Sequence, residues 1–354
     1  MQVIEVRNVH DALLRGLELL EVHGITRDSR NGPVRESECP VTTVYHRPQE
    51  RVLFWEQRDA NPFFHFMESL WMLGGRHDLD YVYQFNKGMK RYSDDGKTLW
   101  GAYGWRWREY WTDRTNDQSI DQLSIIIKRL KEDPTDRRCV LQMWDAYDDL
   151  DKNGKDVPCN TSIYFKIRDK QLHMTVCNRS NDMLWGAYGA NAVHMSMLQE
   201  YIAGHLEIDM GTYRQVSDSF HVYHNEVWER VKGVEIDPWN YSNLKNPYDT
   251  LDGITYTNFI TNAKVFDWEL DRFFHIHPED MASYDDDTWD NPAFKNIAVP
   301  MVKTFNAHKK RDYELAYKEV MSILPNDWMT ACFDWIKKRD LSWTLSNKGG
   351  NNGK

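Results

Sequence analysis

The reactive side chains of this chain gather in a few short stretches. Cys159 stands in "VPCN" (157–160), directly after Pro158 and before "TSIYFKIRD" (161–169), which reads as a strand. A thiol there is either a small apolar residue filling a gap or a nucleophile presented at the start of an element. Roughly 20 residues later comes "NRSND" (178–182), five polar residues in succession. Such a run is either an exposed turn or an anion site, with the planar fork of Arg179 and the hydroxyl of Ser180 as donors. Arg137 and Arg138 in "DRR" and Arg30 in "SRNG" sit in similar turn-like settings. Each arginine alone reads as a solvated surface residue. Four of them around one candidate thiol suggest phosphate recognition.

Two further groups fit the same chemistry. Glu68 lies in "NPFFHFMESLWMLGG" (61–75), where nearly every neighbour is apolar. A carboxylate buried in such a helix can exchange protons near neutral pH. His221 and Tyr223 stand two residues apart in "SFHVYHN" (219–225). In extended chain they share a face and can both bond a sugar hydroxyl, or they are a core pair.

The elements that must position these groups follow from pattern. A helix is expected over 11–24, ending at Gly24, and a loop over "TRDSRNGPVRE" (26–36). Asn-Pro and Gly-Gly bound a helix over 61–75. "SIDQLSIIIKRLKEDP" (119–134) is an amphipathic helix stopped by Pro134. "RRCVLQMWD" (137–145) reads as a strand, and 161–169 with 171–180 as a hairpin turning at "RDKQ". Helices are expected over 191–206 and from 221 to 233. Beyond about residue 235 the pattern fades, apart from two closing helices in "ELAYKEVMSIL" and "DWMTACFDWIKKRD". The tail "LSNKGGNNGK" (345–354) reads as mobile. "LWGAYG" occurs at 99–104 and 184–189, too short an echo for a repeat architecture. Strands with intervening helices, partly joined by a hairpin, give an α/β fold of the α+β type: a mixed sheet with flanking helices.

Composition narrows the partners. The net charge of −10 argues against broad nucleic-acid binding, yet leaves room for an anion held by clustered arginines. The five cysteines, Cys39, Cys139, Cys159, Cys177 and Cys332, have no CxxC spacing, so neither a disulfide framework nor a metal site is indicated. No apolar run reaches membrane-spanning length, and a reducing cytoplasm is the expected location.

In order, "SRNG", "ESLWMLGG", "WGAYGWRWR", "DPTDRR", "VPCN", "NRSND", the Asn191 region and "HVY" resemble thymidylate synthase and its relatives, the pyrimidine nucleotide hydroxymethylases. The resemblance covers roughly residues 10–228. It implies a catalytic core over 1–234, a family-divergent region packed on it over 235–344 and a flexible tail. It also implies an obligate homodimer built on one sheet face. Cys159 matches the nucleophile that adds to pyrimidine C6. Arg30, Arg179 and Ser180 match phosphate ligands, and Arg137 and Arg138 match the pair donated by the other subunit. Glu68 matches the acid that organises water and proton transfer, and Tyr103 a tyrosine of that network. Asp182 matches a residue near base and folate, and His221 and Tyr223 ligands of the deoxyribose 3′-hydroxyl. The one-carbon donor implied is 5,10-methylenetetrahydrofolate, with no metal. Thiolate addition at C6 makes C5 enolate-like and able to attack a methylene, which is the physical logic of such a site.

The departures point to one branch. Asn191 can accept from uracil N3–H and donate to O4, whereas an aspartate suits cytosine. "WGAYGAN" holds one residue more than the usual spacing before this asparagine. Thymidylate synthases usually carry His where Asn160 stands, Gln where Asn178 stands and Asn where Asp145 stands. They end in a short apolar closing tail, whereas this chain continues more than 100 residues past "HVY". Water attack on the bound methylene needs an ordered water, whereas hydride transfer needs water excluded. The expectation is therefore a dUMP hydroxymethylase, natural to a virus such as a phage that modifies its DNA bases. The alternatives are thymidylate synthase, a dCMP or CMP hydroxymethylase, and an inactive nucleotide-binding relative.

Overall fold

Among the described residues, eight strands form one mixed sheet in the order β1-β4-β8-β7-β6-β5, with β3 joining β8 and β2 joining β3. They are β1 (Gln2–Val6), β2 (Gly24–Arg27), β3 (Val34–Ser37), β4 (Val41–Tyr45), β5 (Val140–Gln142), β6 (Asn160–Arg168), β7 (Gln171–Asp182) and β8 (Asp209–Tyr223). The β1–β4 and β7–β8 pairs are parallel and the rest antiparallel. The computed structural model describes residues 1–232, 246–249, 253–280 and 288–341. The tail expected at 345–354 lies outside them.

The helices are α1 (Val9–His23), α2 (Pro62–Leu73), α3 (Leu79–Phe85), α4 (Tyr103–Arg108), α5 (Gln122–Glu132), α6 (Asn191–Leu206), α7 (Glu226–Lys232), α8 (Ala263–His275), α9 (Val299–Lys309), α10 (Tyr313–Val320) and α11 (Asn326–Arg339). Their starts follow local chemistry. The side chains of Asn8, Asn61 and Asp121 accept hydrogen bonds from the first-turn amides of α1, α2 and α5, and Pro62 pre-sets the first residue of α2.

Every residue of α2 is buried. On one side lies α6; on another, aromatic rings of the C-terminal region close over it. Phe63 meets Phe305 and Trp335 at ring separations of 5.3 and 5.4 Å, and Phe66 meets Phe259 and Trp328 at 5.6 and 5.1 Å. A buried ion pair, Arg51–Glu200 at 2.5 Å, fixes the same seam, with Glu200 also accepting from the amides of Phe259 and Ile260.

The inner sheet face is apolar: Ile163 and Phe165 on β6, Leu172, Met174 and Val176 on β7. The opposite face is open, with Val140 and Tyr164 paired in register and 40% and 46% exposed. Asp169 and Lys170 both take positive φ, the geometry a two-residue hairpin turn needs.

Three expectations are corrected. Residues 26–36 are a β2–β3 hairpin around a short turn, in which the amides of Ser29 and Gly32 bond each other's carbonyls. The strand expected over 137–145 is confined to β5. Residues 221–223 finish the 15-residue strand β8, and the helix expected there starts at Glu226.

Candidate active site

Cys159 is half-buried at the mouth of β6, and Arg179 on β7 is wrapped around it. The Arg179 backbone amide donates to the Cys159 carbonyl at 3.0 Å. Its Nε donates to the Pro158 carbonyl at 2.9 Å and its Nη2 to the Val157 carbonyl at 3.0 Å, with Nη2 4.0 Å from Sγ. The guanidinium also lies over the Trp144 ring at 5.5 Å. One side chain thus fixes the Val157–Pro158–Cys159 turn and places positive charge beside the sulfur. Burial pushes the thiol's pKa up; Arg179 and Arg30 pull it down, while Asp156 and Asp182 oppose them. Arg30 reaches this loop through Nη1, 3.3 Å from the Gly154 carbonyl.

The polar run 178–182 is a continuation of β7, paired in parallel with β8. Ser180 stands opposite Ser219, and Asp182 opposite His221. Asp182 caps the next turn, Oδ1 accepting from the Trp185 amide at 2.6 Å, while its buried Oδ2 has no aligned hydrogen-bond partner, although the Tyr223 amide approaches the carboxylate. Burial raises its pKa against the pull of His221 and Arg58. His221 is buried, its Nδ1 3.0 Å from Ser219 Oγ, and Ser219 in turn bonds Glu36. The Tyr223 ring stands perpendicular to it at 5.3 Å, and the Tyr223 hydroxyl accepts from Asn31 at 3.5 Å, beside Arg30. The sequence places His221 and Tyr223 on one strand face, and the structure brings that face to Asp182.

Asn191 opens α6. Its Nδ2 donates to Asn181 Oδ1 at 3.1 Å, and Asn181 Nδ2 donates to Ser217 Oγ at 3.0 Å. This chain fixes which end of the Asn191 amide is nitrogen and leaves its oxygen and second N–H for a ligand. The segment Met183–Ala190 winds as a π-helix broken by a kink at Gly189, directly before α6. Wide turns of this kind are common at functional sites.

Glu68 is buried, as its apolar neighbours suggest, with Oε2 3.1 Å from His194 Nε2 on α6. That contact is close but poorly aligned, and both His194 nitrogens lack an aligned hydrogen-bond partner. His65, one turn earlier on α2, is held well below the usual imidazole pKa by burial, with Arg58 and His194 adding to it. Tyr103 opens α4, which packs tightly on α2: a Cβ on Gly104 would lie 2.0 Å from the Met72 carbonyl oxygen. Burial, then the negative fields of Cys159 and Asp156, push the Tyr103 phenol well above its usual pKa, and neighbouring Asn160 pulls it back. Tyr103 therefore sits among Cys159, Asn160 and Asp156.

Asn160 and Asn178 are register partners across β6 and β7, 0% and 3% exposed. Asn178 Nδ2 donates to the Val216 carbonyl at 3.1 Å; Asn178 Oδ1 and both side-chain atoms of Asn160 have no aligned partner.

The remaining expected residues bond to other groups. Asp145 accepts from the Tyr110 hydroxyl at 2.8 Å and the Tyr147 amide at 2.9 Å, within a cluster held by the fully buried Arg106–Asp149 pair at 2.7 Å. Arg137 and Arg138 are exposed at the edge before β5, and Arg138 grips Asp136 through Nε and Nη2 at 3.0 and 2.9 Å. Sequence reasoning missed His194, Asn181, Ser217 and Asp156. Only His194 carried a signal, standing three residues after Asn191 on one helix side.

A sequence profile of the thymidylate synthase family matches residues 24–269. Over 347 residues the chain is 45% identical to a deoxyuridylate hydroxymethyltransferase of Pseudomonas phage M6, an alignment covering 96% of this chain and 95% of that protein. A protein of the same name from Bacillus phage SP01 is 37% identical over 197 residues, 54% of this chain and 51% of its own. A putative thymidylate synthase of Methanosarcina acetivorans is 28% identical over 237 residues, covering 66% of this chain and 94% of that protein. No helix among the described residues is long and apolar enough to cross a membrane.

Proposed function

From a chain that belongs to the thymidylate synthase family, we propose a dUMP 5-hydroxymethylase. The observation that carries this reading is the 45% identity, over nearly the whole of both chains, to a protein named for that reaction. The oriented Asn191 amide supports uracil as the base, since its free oxygen can accept from N3–H and its free N–H can donate to O4.

Arg179 and Arg30 hold the nucleotide phosphate and, by their charge, favour the Cys159 thiolate that adds to C6. Ser180 adds a hydroxyl donor to the phosphate. His221 and Tyr223 bind the deoxyribose hydroxyl. Glu68, with His194 and Tyr103, handles protons at the base. The donor side fits 5,10-methylenetetrahydrofolate: the Oδ2 of Asp182, which lacks an aligned partner, can accept from a pterin N–H, beside Trp185, which is 47% exposed and backed by Arg58 at 4.2 Å. That donor supplies the one-carbon unit. We place the two-copy interface on the open sheet face around Val140 and Tyr164, from which Arg137 and Arg138 reach the partner's phosphate site. The five free cysteines suit a reducing cytoplasm.

The test is turnover of dUMP with 5,10-methylenetetrahydrofolate, followed by absorbance. A hydroxymethylase gives tetrahydrofolate and no dihydrofolate signal. A rise in dihydrofolate makes the protein a thymidylate synthase instead.

A further inference from the structure

Asn160 and Asn178 face each other inside the protein, next to Cys159; Asn178 Oδ1 and the side-chain oxygen and nitrogen of Asn160 lack an aligned hydrogen-bond partner, with the Tyr103 hydroxyl the protein group that approaches the Asn160 amide. Buried polar atoms are rarely left without an aligned partner, so this pocket favours a further hydrogen-bonding partner. An amide pair offering two acceptors and one donor meets the needs of a bound water. Tyr103 lies alongside Asn160 and feels the charge of Asp156. Asp156, three residues before the nucleophile, accepts the Gly101 amide through Oδ2 at 2.8 Å. A Cβ at Gly101 would stand 2.7 Å from Asp156 Oδ1 and push the carboxylate out of place.

We propose that Asn160 and Asn178 hold the water that attacks the one-carbon unit, and that its proton leaves through the Tyr103 hydroxyl to the Asp156 carboxylate. The proposal rests on the hydroxymethylase reading. After one-carbon transfer, the nucleotide carries an exocyclic methylene at C5 and the Cys159 sulfur at C6. The water oxygen bonds to the methylene carbon, and the exocyclic π pair moves into the ring as the O4 enolate. The enolate collapses to restore C5=C6, and the C6–S bond breaks with its electrons on sulfur. The water proton goes to the Tyr103 oxygen as the Tyr103 proton passes to Asp156. No redox partner is needed.

The neighbourhood supports Asp156 as acceptor. Burial raises its pKa to about 6, with Asp94 and Glu68 adding to the rise and the Gly101 amide and Arg106 opposing it. It is thus mostly ionised at neutral pH and basic enough to take a proton transiently. Asn160 and Asn178 are positioning residues for the water.

The test compares 5-hydroxymethyl-dUMP formed with tritium released from C5-labelled dUMP. In Asn160→His/Asn178→Gln, the longer side chains enter the water's space, and the ratio is expected to fall at least about tenfold. Asp156→Asn should lower the ratio in the same direction, because the proton has lost its acceptor. A parent-like ratio in both variants overturns the proposal, as does a loss of tritium release in step with product. A crystal structure of the parent enzyme decides even if a variant misfolds: ordered water between the two amides supports the site, and its absence refutes it. A parent that makes dTMP overturns the activity itself before the variants are compared.

Discussion

Removal of Arg179 tests how the nucleophile is prepared. Arg179→Ala takes away two hydrogen bonds to the Val157 and Pro158 carbonyls and a positive charge whose Nη2 lies 4.0 Å from Sγ. At that separation, and an effective dielectric constant of 20, a guanidinium stabilises a thiolate by about 4 kcal/mol. Solvent reaches this half-buried pair and Arg30 remains nearby, so the realised share is smaller. One third of the full value already changes the thiolate population about tenfold. The assay is the rate of Cys159 alkylation by iodoacetamide across pH, read by peptide mass spectrometry because Cys39 and Cys177 are also half-buried. Arg179→Ala should displace the rate–pH profile to higher pH, with at least about tenfold slower alkylation near neutrality. Arg179→Lys, which keeps charge but not the fork, should fall between. A profile that drops at every pH without displacement would show that Arg179 governs access rather than ionisation, and the reasoning would fail.

Other perturbations read the scaffold. Gly104→Ala forces a Cβ against the Met72 carbonyl and should cost about 2 kcal/mol, lowering Tm by about 3 °C in a thermal melt. Asp327 is 1% exposed, accepts from the Tyr248 hydroxyl at 3.2 Å and has its pKa raised by burial to about 7. The folded state then holds a proton that the unfolded state releases near pH 4, so stability falls as pH rises from about 4 to about 7, by about 4 kcal/mol in the limit. Asp327→Asn should therefore raise Tm relative to the parent above pH 7 and not at pH 4; an equal effect at both pH values would contradict this. Cys159→Ala should abolish tritium release from C5-labelled dUMP while leaving the circular dichroism spectrum unchanged.

How far the fold was legible depended on whether an element obeyed one simple pattern. The helix α2 announced itself because Asn-Pro and Gly-Gly bracket a mainly apolar run, and α6 matched residues 191–206. The strand β8 did not. Its inward positions Gln215 and Ser217 are polar, satisfied by the Ala187 carbonyl and by Asn181, so no apolar alternation marks a 15-residue central strand. The same cause disguised the end of β7: Asn178, Ser180 and Asp182 are polar, so the end of a paired strand reads as a turn. The β2–β3 hairpin was masked by the Arg, Gly and Pro of its short turn, while its pairing with the far end of β8 is a long-range contact that local sequence does not encode. For the site, ordered motifs were enough to nominate Cys159, Arg179, Glu68, Asn191, His221 and Tyr223. Their hydrogen-bonding companions were not. Asn181 was passed over within a polar run and Asp156 within "KDVPC", because what distinguishes them is a partner distant in sequence. Arg137 and Arg138 lie exposed just before β5, where Arg138 pairs with Asp136.

The most direct measurement is mass spectrometry of the nucleotide formed from dUMP and 5,10-methylenetetrahydrofolate in water enriched in oxygen-18. The account predicts 5-hydroxymethyl-dUMP carrying the heavy oxygen, with tetrahydrofolate as the partner product. Unlabelled dTMP with dihydrofolate would contradict it.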